Sequence, residues 1–127
     1  MQLKMQAIIN FPVFYETVKS QKLPLKIAYK LAQLSRAIDT EVVFYQEKLR
    51  SIIQEYAQLD ENGQPVPTDD GHGIKLRPGT ETTCISTMRE LQEIDVTLPD
   101  ITFNLGDFNN IELTVEEISA LMPFIIE

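Results

Sequence analysis

Nine apolar residues recur through the middle of this chain at helical spacing: Ile27, Leu31, Leu34, Ile38, Val42, Tyr45, Leu49, Ile52 and Tyr56. The steps between them are 4, 3, 4, 4, 3, 4, 3 and 4, so 29 residues are crossed in eight steps. That mean of about 3.6 is the period of a straight α-helix and not the 3.5 of a long coiled coil. The spacing predicts one helix opening near Pro24 and closing near Leu59. At 1.5 Å per residue it would be about 50 Å long. A compact domain of this size is only about 30 Å across. Such a helix must kink or protrude, and a protruding apolar stripe needs a partner. A row of small residues, Ala28, Ala32 and Ser35, flanks the stripe and would let another helix approach closely. Val43, Phe44 and Ile53 widen it later, so the C-terminal half is expected to be the more buried.

The segments around this helix predict an α+β fold: a long central helix, three shorter helices and a small, mostly antiparallel sheet or hairpin. All of it fits in one domain, residues 1–127. Leu3, Met5, Ala7 and Ile9 alternate with their neighbours, which suggests a strand over residues 2–9. Pro12 opens a short helix held down by Val13, Phe14, Tyr15 and Val18. Residues 60–80 carry four of the five glycines and three of the seven prolines and form a surface loop or hairpin excursion. A helix from Glu81 to Glu93 turns Ile85, Met88 and Leu91 inward, with Cys84 beside them. Ile94, Val96 and Leu98, then Ile101, Phe103 and Leu105, alternate on either side of Pro99-Asp100. Proline cannot donate to a ladder, so this is a bulged edge strand or two short strands. Thr114 and Glu117 form a capping box that starts a last helix burying Ile118, Leu121 and Met122. The apolar end, Phe124 to Ile126, is expected to dock on something.

Composition narrows the function. The net charge of −8 argues against general binding to nucleic acid or to an anionic membrane surface. It favours solubility, or a face for a basic partner. No apolar run approaches the roughly 20 residues that span a bilayer. The opening residues lack the layout of a signal peptide, and the lone Cys84 fits a reducing compartment, so the cytoplasm is the expected location.

Few side chains suggest chemistry. His72, the one histidine, stands in Asp69-Asp70-Gly71-His72 and could hold a divalent ion, but a glycine-flanked loop is a poor scaffold for one. A polar turn is the better reading. Cys84 reads as a structural cysteine at the edge of an apolar face. No phosphate loop, zinc spacing or nucleophile elbow is present. The chain is therefore expected to be non-enzymatic, with no catalytic residue, cofactor or metal. Lys22, Lys26 and Lys30 form an i, i+4, i+8 row with Arg36 near the same side, at a helix N-terminus where cations are disfavoured by a few tenths of a kcal/mol. These four are the candidate partner contacts. Asp39, Glu41, Asp60, Glu61, Asp69, Asp70, Glu112, Glu116 and Glu117 supply a dispersed acidity. Read functionally, that acidity could mimic DNA before a host nucleic-acid-binding protein.

The order of features resembles a family of small uncharacterised proteins of tailed phages and prophages. The matching text is Leu-Pro-x-Lys-x-Ala-Tyr-Lys-Leu at Leu23 to Leu31, and Glu55-Tyr56 followed by the Asp-Glu-Asn-Gly turn at Asp60 to Gly63. It continues with Glu-Leu-x-Glu at Glu90 to Glu93 and Val-x-Leu-Pro at Val96 to Pro99, then the Leu-Thr-x-Glu-Glu helix and Phe-Ile tail from Leu113 to Ile126. The resemblance carries over no catalytic residue and no cofactor. It implies a phage origin, residence in the host bacterial cytoplasm or the virion, and a role in virion assembly or host interference. The leading expectation is a small virion or assembly component that binds itself or another phage or host protein. An acidic stoichiometric inhibitor of a host defence or nucleic-acid-binding protein is the alternative.

Overall fold

The long helix is present. In the structure, a computed structural model that describes residues 1–126, it runs over Leu25–Tyr56. Its 32 residues span about 48 Å. Pro24 is extended (φ −52°, ψ 142°) and stands just before the helix, and its ring keeps Leu23 out of helical geometry. At the other end Ala57 is extended, and Arg77 takes up the freed carbonyls. Its N–H donates to the Tyr56 oxygen at 2.9 Å and its guanidinium donates to that of Glu55.

In chain order the elements are β1 (Gln2–Lys4), α1 (Met5–Ile8), α2 (Phe11–Val18), α3 (Leu25–Tyr56), α4 (Glu81–Gln92), β2 (Asp95–Thr97), β3 (Phe103–Asn104), α5 (Val115–Leu121) and β4 (Ile125–Ile126). Short 3-10 turns cover Leu105–Phe108 and Met122–Phe124. This is the α+β fold with a long central helix and three shorter ones, plus one extra helical turn in α1. The expected strand over residues 2–9 stops at Lys4. Met5 and Ile8, three apart, are both fully buried, a helical spacing that wins over the apparent alternation.

The main core lies against the first half of α3, not the second. Leu31, Leu34, Ile38 and Val42 pack with Met5, Ile8, Phe11, Phe14 and Val18 from one end of the chain and with Val96, Leu98, Phe103, Phe108, Leu121 and Phe124 from the other. Aromatic rings centre it: Phe11 lies 5.6 Å from both Phe14 and Phe124, and Phe103 lies 5.5 Å from Phe108. Within the flanking small row Ser35 is buried, Ala32 half-buried and Ala28 exposed. The second half of α3 has a smaller core, where Ile52 meets Cys84 and Leu91 with Tyr45, Leu49, Tyr56, Leu76 and Met88 around them. Val43 and Phe44 are exposed there. The expectation of a more buried C-terminal half is thus reversed. Both ends of the chain converge on the first half of the helix and leave only α4 and the 57–80 segment for the rest.

Two small sheets tie those ends together. β1 and β2 pair antiparallel, Leu3 opposite Val96, with a Lys4–Asp95 ion pair of 2.7 Å across them. β3 and β4 pair parallel, Phe103 opposite Ile125, so the apolar end of the chain is docked on its own fold. Pro99-Asp100 separates two short strands, β2 and β3.

Residues 57–80 form a small closed figure. Gln58 N–H donates to the Lys75 oxygen, Lys75 N–H to that of Val66, and Val66 N–H to that of Gln58, each at 2.8–2.9 Å. The three extended pieces thus close a triangle instead of a flat ladder. Antiparallel bridges Ala57–Leu76, Leu59–Pro65 and Pro67–Ile74 extend it. Gly63, Gly71 and Gly79 all have φ between 75° and 83°, where a side chain would strain the turn.

Candidate interaction surfaces

The four cationic candidates separate. Lys22 lies in the link before α3, and with Lys26 and Arg36 it is exposed. Among the described residues none of these three makes an ion pair. Lys30 is half-buried and turns inward: its ammonium donates to the Thr102 oxygen and sits 4.7 Å from the centre of the Phe103 ring. Lys30 therefore leaves the candidate partner contacts, because it covers the edge of the main core. In its place stand two apolar residues that sequence reasoning passed over. Leu25 and Tyr29, one helical turn apart on the α3 face away from Ile27, Leu31 and Leu34, are 86% and 62% exposed. Together with Lys26 they make an apolar and basic ridge at the start of the helix.

A groove of about 470 Å³ lies between α1, α2 and α5. Ala7, Phe14, Ala120 and Pro123 give it apolar lining, and Gln6, Asn10 and Ser119 add polar atoms. Val13 and Val115 also line it and are 69% and 81% exposed. Among the described residues the charged groups lining it are Glu116 and Glu117. The capping box fixes α5 here: Thr114 Oγ1 accepts from Glu117 N–H at 3.1 Å, and Glu117 Oε1 accepts from Thr114 N–H at 3.2 Å. The second oxygen, Glu117 Oε2, is buried and meets no donor among the described residues. Val13 was expected to hold α2 down, and Ile118 and Met122 to be buried, yet all three are exposed. The two short helices have more apolar positions than the core can cover. The capping box signalled where α5 begins, but nothing local signalled the groove.

A second, shallower groove of about 580 Å³ runs between Gln46, Leu49, Arg50, Ile53 and Gln54 of α3 and the turn at Leu59 and Gly63 to Pro65. On α4, Ile85 is exposed and does not face inward, because Cys84, Met88 and Leu91 make the contact with α3.

The other candidates are structural. Asp70 Oδ1 accepts from the Thr68 hydroxyl at 2.5 Å and from His72 N–H at 3.0 Å, which builds the turn in which His72 stands exposed. These bonds, the hydroxyl first, hold the Asp70 carboxyl below its ordinary value. Asp60 Oδ1 accepts from Asn62 and Gln64 N–H in the neighbouring turn. Among the described residues no three His, Cys, Asp or Glu side chains converge as a metal site would require. Cys84 is free and buried. Among the described residues no helix is long and apolar enough to cross a membrane.

Comparison with known protein families, with curated proteins and with solved structures found no match.

Proposed function

We propose that this chain is a non-enzymatic phage protein that acts through protein–protein contact, as a small virion or assembly component that associates with itself. The observation that carries this reading is the apolar surface the fold leaves uncovered, at Leu25 and Tyr29 on the start of α3, at Val13 and Val115 beside the groove, and on the second half of α3. That half extends past the main core with α4 and the 57–80 segment against it. Val43, Phe44 and, on α4, Ile85 are left exposed. Apolar groups left in water on a projecting helical hairpin, rimmed by charges, are characteristic of a surface that meets another protein. The resemblance of the Leu23–Leu31 opening and the Leu113–Ile126 close to small phage proteins supports the setting.

Light scattering over a concentration series tests it. A defined oligomer is expected, and a mass of 14.5 kDa at every concentration would overturn self-association.

A further inference from the structure

The molecule carries two surfaces of opposite character. One is the ridge: exposed Leu25 and Tyr29 with exposed Lys26 on the helix and Lys22 just before it. The other is the groove between α1, α2 and α5, largely apolar in its lining and, among the described residues, charged by Glu116 and Glu117. We infer that these surfaces are partners, the Leu25–Tyr29 ridge of one copy seating in the groove of a second copy, with Lys22 and Lys26 meeting the two glutamates. This rests on the self-association proposed above and names its interface.

Two observations support the pairing. Ridge and groove are opposite in charge, and each carries exposed apolar side chains of the kind an interface core uses. The chain also carries a net charge of −8, so two copies repel unless their scarce cations face carboxylates. Lys22 and Lys26 are cations that make no ion pair among the described residues and that stand beside exposed apolar side chains. Ridge and groove share no residue, so the contact is head-to-tail, each copy offering one surface to the next. Contacts of that kind propagate into rings or filaments.

The test uses the full chain with Leu25→Asp or Val115→Asp. Both positions are more than four-fifths exposed, and an acidic residue in the first turn of a helix suits the dipole, so both variants keep the fold. Each variant alone is expected to be a monomer. Leu25→Asp retains a working groove and Val115→Asp a working ridge, so their equimolar mixture should form a species of twice 14.5 kDa and stop there. Lys26→Glu should weaken wild-type association by about tenfold. Variants that still form the wild-type oligomer, or a mixture that stays monomeric, would overturn this interface while self-association itself stands. A wild-type chain that is monomeric throughout would overturn both.

Discussion

The Lys30 ammonium lies 4.7 Å from the centre of the Phe103 ring, joining α3 to β3 across 73 residues of sequence. The same nitrogen donates to the Thr102 oxygen. A cation held over a ring face and bonded to a carbonyl in a half-buried place contributes more than a surface lysine does. Lys30→Met should therefore lower stability by about 1–2 kcal/mol in urea unfolding, because it keeps the aliphatic stem and loses the charge. Self-association should be unchanged, since Lys30 is not part of the ridge.

The two faces of helical apolar residues separate sharply. Ile38→Ala removes a fully buried side chain from the main core and should cost about 2–4 kcal/mol. Ile85→Ala, on the outer face of α4, should stay within about 0.5 kcal/mol in the monomer. Denaturant titration of the two variants side by side checks both values.

The helix stripe was legible because its period is sustained over 29 residues and every step reports on the same face. Shorter signals were ambiguous for a physical reason. In residues 2–9, Met5 fits the alternating set while Met5 and Ile8 fit a helical one, and only the packing of the finished core decides between them. The depth of burial along α3 was not readable either. It depends on where Phe11, Phe103 and Phe124 converge, and those contacts span most of the chain. The parallel pairing of Phe103 with Ile125 has no local signature at all. Of the candidate contacts, sequence spacing put Lys30 with Lys26. Their separation follows from β3 lying beneath one of them and not the other.

Removing the cap of α5 should loosen a short helix that has little else to start it. Thr114→Ala deletes the acceptor for Glu117 N–H and should cost about 1 kcal/mol, or a fall in Tm of about 4 °C by calorimetry. The groove is expected to lose its defined wall with it.

Acid should loosen the 57–80 triangle. Bonds from the Thr68 hydroxyl and His72 N–H favour ionised Asp70, so its folded pKa lies below the unfolded value. The stability it contributes is present above about pH 4 and is lost as pH falls through the folded value. Amide exchange of Gly71 to Gly73 should quicken as pH falls below about 4, beyond the intrinsic trend in the wild type. The Asp70→Asn chain should show no such excess.

The triangle at Gln58, Val66 and Lys75 is closed by main-chain atoms alone. Its geometry is therefore indifferent to most of the side chains it displays, provided the turn glycines and the turn-building side chains of Asp60, Thr68 and Asp70 remain. Such a tip can diversify under selection while the scaffold behind it stays fixed. Among relatives of this chain, sequence variation should concentrate on the outward positions of residues 58–76, where new specificities can be tried without a penalty in folding.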